Sequence, residues 1–338
     1  MTSSIPAKSK VLPPGIFCPV ISLYKDTPRQ EVDYDASYKF FQHLIRGGAD
    51  GLVLAGTTAE AVLLSPFERQ ELLRTARRAA VDLGFDNYPL VAGISGQSAN
   101  ESLRLAEEAR DAGADLGLLL PPCYWAKAAT KEAILDFYRE VADSKIIPII
   151  IYSFPGICNG VDMSSDLIST LAEHPNIVGT KLTCGNAGKV TRLTKEYSHG
   201  QFGVYAGASD WLIPCLSGDG SGCITGVANV FPKTVAKLWS LWKSEQYREA
   251  IKLQGLIAQA ERACKEGIAP TKFATAYYVG PAVGLTNAPA FWPRKPYQPS
   301  SKATGEGLQL GWVVDVMDLL VEIENSLPDV VGSGAKGN

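Results

Sequence analysis

The sequence predicts an α/β fold, a (β/α)₈ barrel followed by a C-terminal group of helices. Between Gly15 and Thr225, short apolar runs alternate eight times with amphipathic helical stretches, which is the rhythm of a barrel. Candidate reactive side chains fall at the carboxyl ends of the predicted strands, where barrel active sites lie. A doubly wound open sheet stays open as an alternative, because sequence alone does not reveal a reversal of strand order.

Each predicted strand is a short apolar run bounded by glycine, proline or polar turn residues. Several of these runs are rich in isoleucine, leucine and valine, as expected of strands that are buried on both faces of a parallel sheet. The eight predicted strands are Gly15–Tyr24, Asp50–Ala55, Pro89–Ile94, Asp115–Leu120, Ile146–Tyr152, Ile177–Thr183, Phe202–Ala206 and Gly222–Thr225.

The helices between the strands are indicated by capping residues and by an amphipathic period. Ser65 supplies an N-cap, Pro66 suits the first helical position, and Glu68 favours the first turn. Thr130 is a similar N-cap candidate. Further helices are predicted over 33–46, 100–111, 130–143 and 164–173.

After Pro232 the pattern becomes purely helical. Helices are predicted over 232–243, 245–266, 270–279 and 308–326, with a loop rich in proline and serine over 287–304. We therefore divide the chain into four parts: a disordered tail over 1–14, the barrel over 15–230, a C-terminal helical region over 231–326 and a second disordered tail over 327–338.

The composition excludes several functional classes. The 338 residues are 46% hydrophobic and carry a net charge of −3, which favours neither nucleic acid nor an anionic membrane as partner. No apolar run approaches the roughly 20 residues that span a bilayer. Seven scattered cysteines indicate reduced thiols and a cytoplasmic protein, with a mitochondrial address as the open alternative. Three dispersed histidines give no basis for a metal site.

Lys181 is the most informative single residue, because it lies within the predicted strand 177–183. Burial disfavours the charged ammonium group, and an uncharged amine can attack a ketone to form a Schiff base. The alternative is an edge-strand lysine that extends its ammonium group to solvent. Tyr152 and the Gly56-Thr57-Thr58 turn also end strands, although they are equally compatible with rim packing and with a capped turn.

Three motifs resemble the pyruvate-dependent class I aldolases that are grouped with dihydrodipicolinate synthase and N-acetylneuraminate lyase. Gly56-Thr57-Thr58-Ala59-Glu60 resembles the G-[ST]-T-G-E loop, Tyr152-Ser153-Phe154-Pro155 the Y-[NS]-x-P motif, and Gly179-Thr180-Lys181 the G-x-K motif. The resemblance runs from about Gly15 to Gln259 and implies the barrel fold, a lyase activity on a small keto acid and no cofactor beyond the covalent Schiff base.

The resemblance also implies a role for each matching residue. Lys181 forms the Schiff base and Tyr152 relays protons, while Thr57 and Thr58 bind the substrate carboxylate. If Tyr152 is hydrogen-bonded to Thr58, the Thr58 hydroxyl is the next link of the proton relay. Tyr124, in a stretch that resembles the family's Pro-Pro-x-Tyr segment, enters the site of a neighbouring subunit, so a homodimer or homotetramer is expected. Two further positions, Gly207 and Ile224, match residues whose backbone lines the pyruvate pocket.

Two departures from the family pattern bear on the substrate. Ala59 replaces a glycine, a mild change if that backbone does not need a positive φ. The segment 156–160 lacks the arginine with which dihydrodipicolinate synthases hold their aldehyde substrate. It looks closer to fungal-type 2-keto-3-deoxy sugar acid aldolases and to 4-hydroxy-2-oxoglutarate aldolases, with Ser153 and Asn159 available to bond hydroxyl groups.

We therefore expect an enzyme that cleaves a 2-keto-3-deoxy sugar acid, such as L-threo-3-deoxy-hexulosonate, to pyruvate and an aldehyde such as glyceraldehyde. The first alternative is a 4-hydroxy-2-oxoglutarate aldolase, which would release glyoxylate, and the next is dihydrodipicolinate synthase. The alternative outside enzymes is a barrel that binds a keto acid without catalysis. Tyr152 and Lys181 together argue against that last reading, because binding alone needs neither.

Overall fold

The computed structural model describes residues 9–299 and 310–330. Eight strands form a closed barrel in sequential order, with parallel pairing between neighbours. This confirms the predicted (β/α)₈ barrel, and the doubly wound alternative is wrong because the strand order never reverses. The strands are β1 (Gly15–Pro19), β2 (Gly51–Leu54), β3 (Leu90–Gly93), β4 (Leu116–Leu119), β5 (Ile149–Ser153), β6 (Ile177–Leu182), β7 (Gly203–Ala206) and β8 (Gly222–Ile224).

Each of the eight strands is shorter than its predicted run, and proline explains the two largest displacements of a strand end. β1 ends at Pro19, five residues before the predicted end at Tyr24. β5 begins at Ile149, directly after Pro148, and not at Ile146. Proline cannot donate to a strand ladder, so it is favoured at strand termini. The residues 20–24 remain buried although they lie outside the ladder.

The connecting helices are close to their predicted positions, and their caps form as expected. Ser65 and Glu68 make a reciprocal capping box at the start of α2, and Thr130 caps α4. The helices are α1 (Tyr34–Arg46), α2 (Pro66–Val81), α3 (Ala99–Asp111), α4 (Lys131–Asp143), α5 (Ser165–Ala172), α6 (Ala187–Glu196), α7 (Leu212–Ser217), α8 (Pro232–Lys243), α9 (Tyr247–Lys265), α10 (Ile268–Tyr278) and α11 (Leu310–Ser326).

The described chain divides into two compact units. The first unit carries strands β4 to β8 and helices α3 to α7, and the second carries β2, α1, α2 and the C-terminal helices α8 to α11. The first unit comprises residues 9–15, Val91–Gly207 and Trp211–Ile224; the second comprises Ile16–Leu90, Ala208–Asp210 and the described residues from Thr225 onward.

Some predictions lie outside the described residues: the tails over 1–8 and 331–338, the loop positions 300–304, and the first two residues of the helix predicted over 308–326. The domain boundaries at residues 14, 230 and 326 stay predictions. Among the helices that the structure describes, none has both the length and the apolar character needed to cross a bilayer.

Candidate active site

Lys181 lies near the carboxyl end of β6, with its side chain almost fully buried at 4% exposure. It pairs with Tyr152 of β5 on one side and with Tyr205 of β7 on the other. Lys181 is therefore central in the sheet, and the edge-strand alternative is wrong. Among residues 9–299 and 310–330, no carboxylate lies within ion-pairing distance of its Nζ atom.

Tyr152 faces Lys181 directly. The Lys181 Nζ atom lies 4.3 Å from the centroid of the Tyr152 ring. The two residues are register partners on adjacent parallel strands, so their side chains point to the same face of the sheet. The Tyr152 ring also packs against Phe154, with 5.8 Å between ring centroids. The first unit thus places an amine and a phenol side by side at two strand ends.

Thr183 stands two residues beyond Lys181 and was not singled out from the sequence. Its Oγ1 atom is buried and makes no hydrogen bond to the described residues. Gly207, which follows β7, is packed so closely that a Cβ atom there would come within 2.0 Å of Thr183 Oγ1. Gly207 therefore cannot carry a side chain in this arrangement. Ile224 is fully buried as the last residue of β8.

Ser153, the last residue of β5, is fully buried and belongs to a group of hydrogen-bonded polar side chains. Its Oγ atom donates to Asp162 Oδ1 over 3.4 Å, and the Lys189 ammonium donates to the same oxygen over 2.5 Å. Lys189 lies in α6 and is itself 4% exposed. No local sequence pattern indicates this pair, because Asp162 and Lys189 are 27 residues apart.

Asn159 and Tyr124 lie in loops that are joined by hydrogen bonds. The Asn159 Nδ2 atom donates to the Cys123 carbonyl over 2.9 Å. Gln97 Oε1 accepts from the backbone N–H groups of Cys123 and Tyr124 at 3.1 and 2.9 Å. The Tyr124 side chain is 71% exposed in the single chain. A rigidly held loop with an exposed aromatic residue is compatible with the predicted contribution to a neighbouring subunit.

Thr57 and Thr58 lie in the second unit, in a tight turn just after β2. Backbone N–H groups of Ala59 and Ala61 both donate to the Gly56 carbonyl over 3.2 Å. The two threonines are half-exposed, whereas Ala59 is buried. Ala59 does not have a positive φ, so its replacement of the family glycine costs no backbone strain. The turn thus presents two hydroxyl groups on a fixed backbone.

The residues that follow β7 and β8 are held by a buried carboxylate from α9. Glu261 accepts from the Ser209 backbone N–H over 2.9 Å and from Thr225 Oγ1 over 2.6 Å. The Ser209 hydroxyl donates to the same oxygen. Burial raises the pKa of Glu261 above its ordinary value, although these hydrogen bonds oppose the rise. In the described part of the chain, no three histidine, cysteine or acidic side chains are grouped to hold a metal ion.

Comparison with known proteins agrees with this architecture. The model of the dihydrodipicolinate synthetase family matches residues 13–309. A Coccidioides immitis protein named as a mitochondrial 4-hydroxy-2-oxoglutarate aldolase is 43% identical, over 87% of this chain and 93% of the relative. The L-threo-3-deoxy-hexylosonate aldolase of Aspergillus niger is 33% identical, over 94% of this chain and 98% of the relative.

A solved structure shows the same relationship. The crystal structure of a dihydrodipicolinate synthase family protein from Coccidioides immitis superposes with a TM-score of 0.85 at 39% identity, covering 95% of this chain and 99% of that one. The prediction of an enzyme, a carbon–carbon lyase, is confirmed by the family match and by these aldolase relatives. The chain belongs to the dihydrodipicolinate synthetase family.

Proposed function

We propose that this enzyme is a Schiff-base aldolase that cleaves a 2-keto-3-deoxy sugar acid, such as L-threo-3-deoxy-hexulosonate, to pyruvate and an aldehyde such as glyceraldehyde. One observation carries the proposal: the buried Lys181 amine has no carboxylate partner in the described chain and lies 4.3 Å from the ring centroid of Tyr152. An unpaired amine next to a proton donor and acceptor is the arrangement that imine chemistry requires.

The cleavage follows from the roles of these two residues. The Lys181 amine attacks the C2 ketone of the substrate, and loss of water gives a protonated imine. Tyr152 removes the proton of the C4 hydroxyl group. The C3–C4 bond then breaks, its electron pair moves into the iminium group, and the aldehyde leaves. Protonation of the resulting enamine and hydrolysis of the imine release pyruvate and restore the amine. The iminium group is the electron sink, so the proposed mechanism assigns no role to a metal or an organic cofactor.

The substrate carboxylate is assigned to the turn after β2. The hydroxyl groups of Thr57 and Thr58, with nearby backbone N–H groups, can bind a carboxylate without a fixed positive charge. The glycine backbone at Gly207 and the end of β8 at Ile224 are assigned to the walls of the pyruvate pocket. Thr183 adds a buried hydroxyl group without a hydrogen-bond partner in the described chain, beside the proposed nucleophile.

The charges near Ser153 favour an uncharged acceptor aldehyde. Residues 153–160 contain no basic side chain. The cation that does approach, Lys189, is already neutralised by Asp162. Ser153 and Asn159 remain the candidates for bonding the hydroxyl groups of glyceraldehyde. The name of the Aspergillus niger relative agrees with this substrate class.

A second candidate is 4-hydroxy-2-oxoglutarate, which would yield glyoxylate. It is favoured by the name of the Coccidioides immitis relative, which is more similar to this chain than the Aspergillus niger protein is. Glyoxylate is a small anion, and the compensated Lys189–Asp162 pair gives it no free cation to bind. Aspartate semialdehyde, the substrate of dihydrodipicolinate synthase, is the third candidate, because its carboxylate would also need a free cation.

The deciding experiment measures kcat/KM for pyruvate release from 3-deoxy-hexulosonates and from 4-hydroxy-2-oxoglutarate, and for condensation of pyruvate with aspartate semialdehyde. We expect the sugar acid to exceed aspartate semialdehyde by roughly 10- to 150-fold, the effect of about 1.5–3 kcal/mol from a missing charge-assisted contact. A clear preference for aspartate semialdehyde would overturn the substrate assignment. Full activity in EDTA is expected.

Assembly and location form the remaining part of the proposal. We propose a homodimer or homotetramer in which Tyr124 reaches a neighbouring site, because this aromatic side chain is exposed on a loop held by Gln97. The predicted location remains the cytoplasm, with the mitochondrion as the alternative. Two relatives named as mitochondrial favour the alternative. Light scattering and imaging of a C-terminally tagged chain would test the two statements.

A further inference from the structure

We infer that Glu60, Lys272 and Arg294 form a buried clamp that positions the Thr57–Thr58 turn for binding the substrate carboxylate. The inference rests on the proposed function, because it assumes that this turn holds the carboxylate. Glu60 belongs to the G-[ST]-T-G-E-like motif, yet the proposed mechanism gives it no role. All residues of the clamp lie in the second unit.

The first step is the backbone conformation of Glu60. Its φ and ψ angles are 57° and 41°, in the left-handed region that a non-glycine residue adopts only at a cost. Such a conformation persists where the surrounding contacts enforce it. The Glu60 N–H donates to the Thr57 carbonyl over 3.0 Å, so this strained residue closes the turn. Whatever fixes Glu60 also fixes the two threonines.

The second step is that both carboxylate oxygens of Glu60 are engaged by residues far along the chain. The Lys272 Nζ atom in α10 donates to Oε1 over 2.7 Å. The backbone N–H of Arg294 donates to Oε2 over 2.8 Å. Glu60 is 4% exposed and Lys272 is fully buried. With both oxygens occupied and almost no access to solvent, Glu60 is a positioning residue and not a catalytic one.

The third step is the balance of charge between the acidic and basic groups of the clamp. The Lys272 Nζ atom lies 4.3 Å from the ring centroid of Tyr24, and the Arg294 guanidinium lies 4.5 Å from the same centroid. Arg294 also donates to both carboxylate oxygens of Glu68, at the start of α2. Two acidic and two basic groups therefore compensate one another.

Such a network is expensive to break at one member, because the remaining charge is left buried and unpaired. Replacing both members of a buried ion pair together is often nearly neutral for stability. This asymmetry separates a structural role from a positioning role. If the clamp only stabilises the fold, removal of both charges restores binding as it restores stability. If the clamp positions the turn, binding stays weak when stability returns.

The experiment compares Glu60→Gln, Lys272→Met and the double variant in the full-length enzyme. The readout is the pyruvate concentration that gives half-maximal borohydride-trapped adduct, measured with kcat and the melting temperature. We expect the single variants to melt earlier and the double variant to recover most of that loss. In each of these three variants that folds, the pyruvate concentration for half-maximal adduct is expected to rise roughly 10-fold or more, as for a lost charge-assisted contact. The change in kcat is expected to be smaller.

Two matched variants complete the design. Glu71→Gln breaks an exposed ion pair with Arg74 in α2 and is expected to leave pyruvate saturation unchanged. Thr58→Val tests the carboxylate turn itself. If Thr58→Val leaves pyruvate saturation unchanged, the proposed carboxylate site fails. If Thr58→Val weakens saturation while the double variant saturates like the wild type, the carboxylate site stands and the clamp inference is overturned.

Discussion

Two lysines among the described residues are buried against tyrosine rings, one in each compact unit, and the charged groups around them differ. The Nζ atoms of Lys181 and Lys272 each lie 4.3 Å from a ring centroid, of Tyr152 and Tyr24 respectively. Lys272 also forms a 2.7 Å ion pair with Glu60, whereas Lys181 has no carboxylate partner in the described chain. Burial and an aromatic neighbour are therefore shared, and the carboxylate is the difference.

This difference teaches that burial alone does not identify a nucleophilic lysine. A carboxylate within hydrogen-bonding distance holds the amine as an ammonium ion, whose lone pair is not available to attack a ketone. By this criterion we propose Lys181 as the reactive lysine and Lys272 as the structural one.

The largest expected effect concerns the two lysines themselves. Lys181→Met should abolish turnover and the borohydride-trapped pyruvate adduct, because it removes the attacking amine. Lys272→Met, the same substitution at the other buried lysine, should still form the adduct at saturating pyruvate. Peptide mass mapping of the trapped wild-type enzyme checks the site of modification. An adduct on Lys272, or on any lysine with Lys181 unmodified, would reverse the comparison.

The second effect concerns the two tyrosines. Tyr152→Phe should lower kcat by roughly 10²–10⁴, the range for a lost general acid–base group, with little loss of folding. Tyr24→Phe should change kcat by no more than about twofold, because the ring that faces Lys272 is kept. Steady-state kinetics at saturating substrate gives both values. A near-normal kcat in Tyr152→Phe would require another proton shuttle.

The contrast between these sites also shows what the sequence can predict. Lys181 and Tyr152 each follow an apolar run and belong to a short local motif, so the sequence predicts both their burial and their meeting at strand ends. The barrel is predicted for the same reason, because its rhythm is local. The predicted strands run beyond Pro19 in β1 and begin before Pro148 in β5, because apolar character continues beyond the hydrogen-bonded ladder.

The clamp, by contrast, could not be predicted. Glu60 and Lys272 are 212 residues apart, and Arg294 comes from a loop beyond α10. A lysine in a helix is ordinarily assigned to a solvated face, and only the tertiary fold shows that this one is buried. The pairing of Asp162 with Lys189 could not be predicted for the same reason. Asp162 lies in the loop before α5 and Lys189 lies in α6, so no local sequence pattern joins them.

The smallest effect concerns stability at alkaline pH. Burial lowers the pKa of Lys272 from 10.5 to about 8, although the neighbouring Glu60 carboxylate opposes the fall. A group whose pKa is lower in the folded state than in the unfolded state contributes stability above its unfolded pKa. That contribution is lost as the pH falls through the folded pKa. The free energy of unfolding of the wild type should therefore gain about 3 kcal/mol relative to Lys272→Met between pH 8 and pH 10.5. Urea unfolding of both proteins across this range measures the difference. A difference that stays constant with pH would show that Lys272 keeps an ordinary affinity for its proton, and that the Glu60 carboxylate compensates its burial completely.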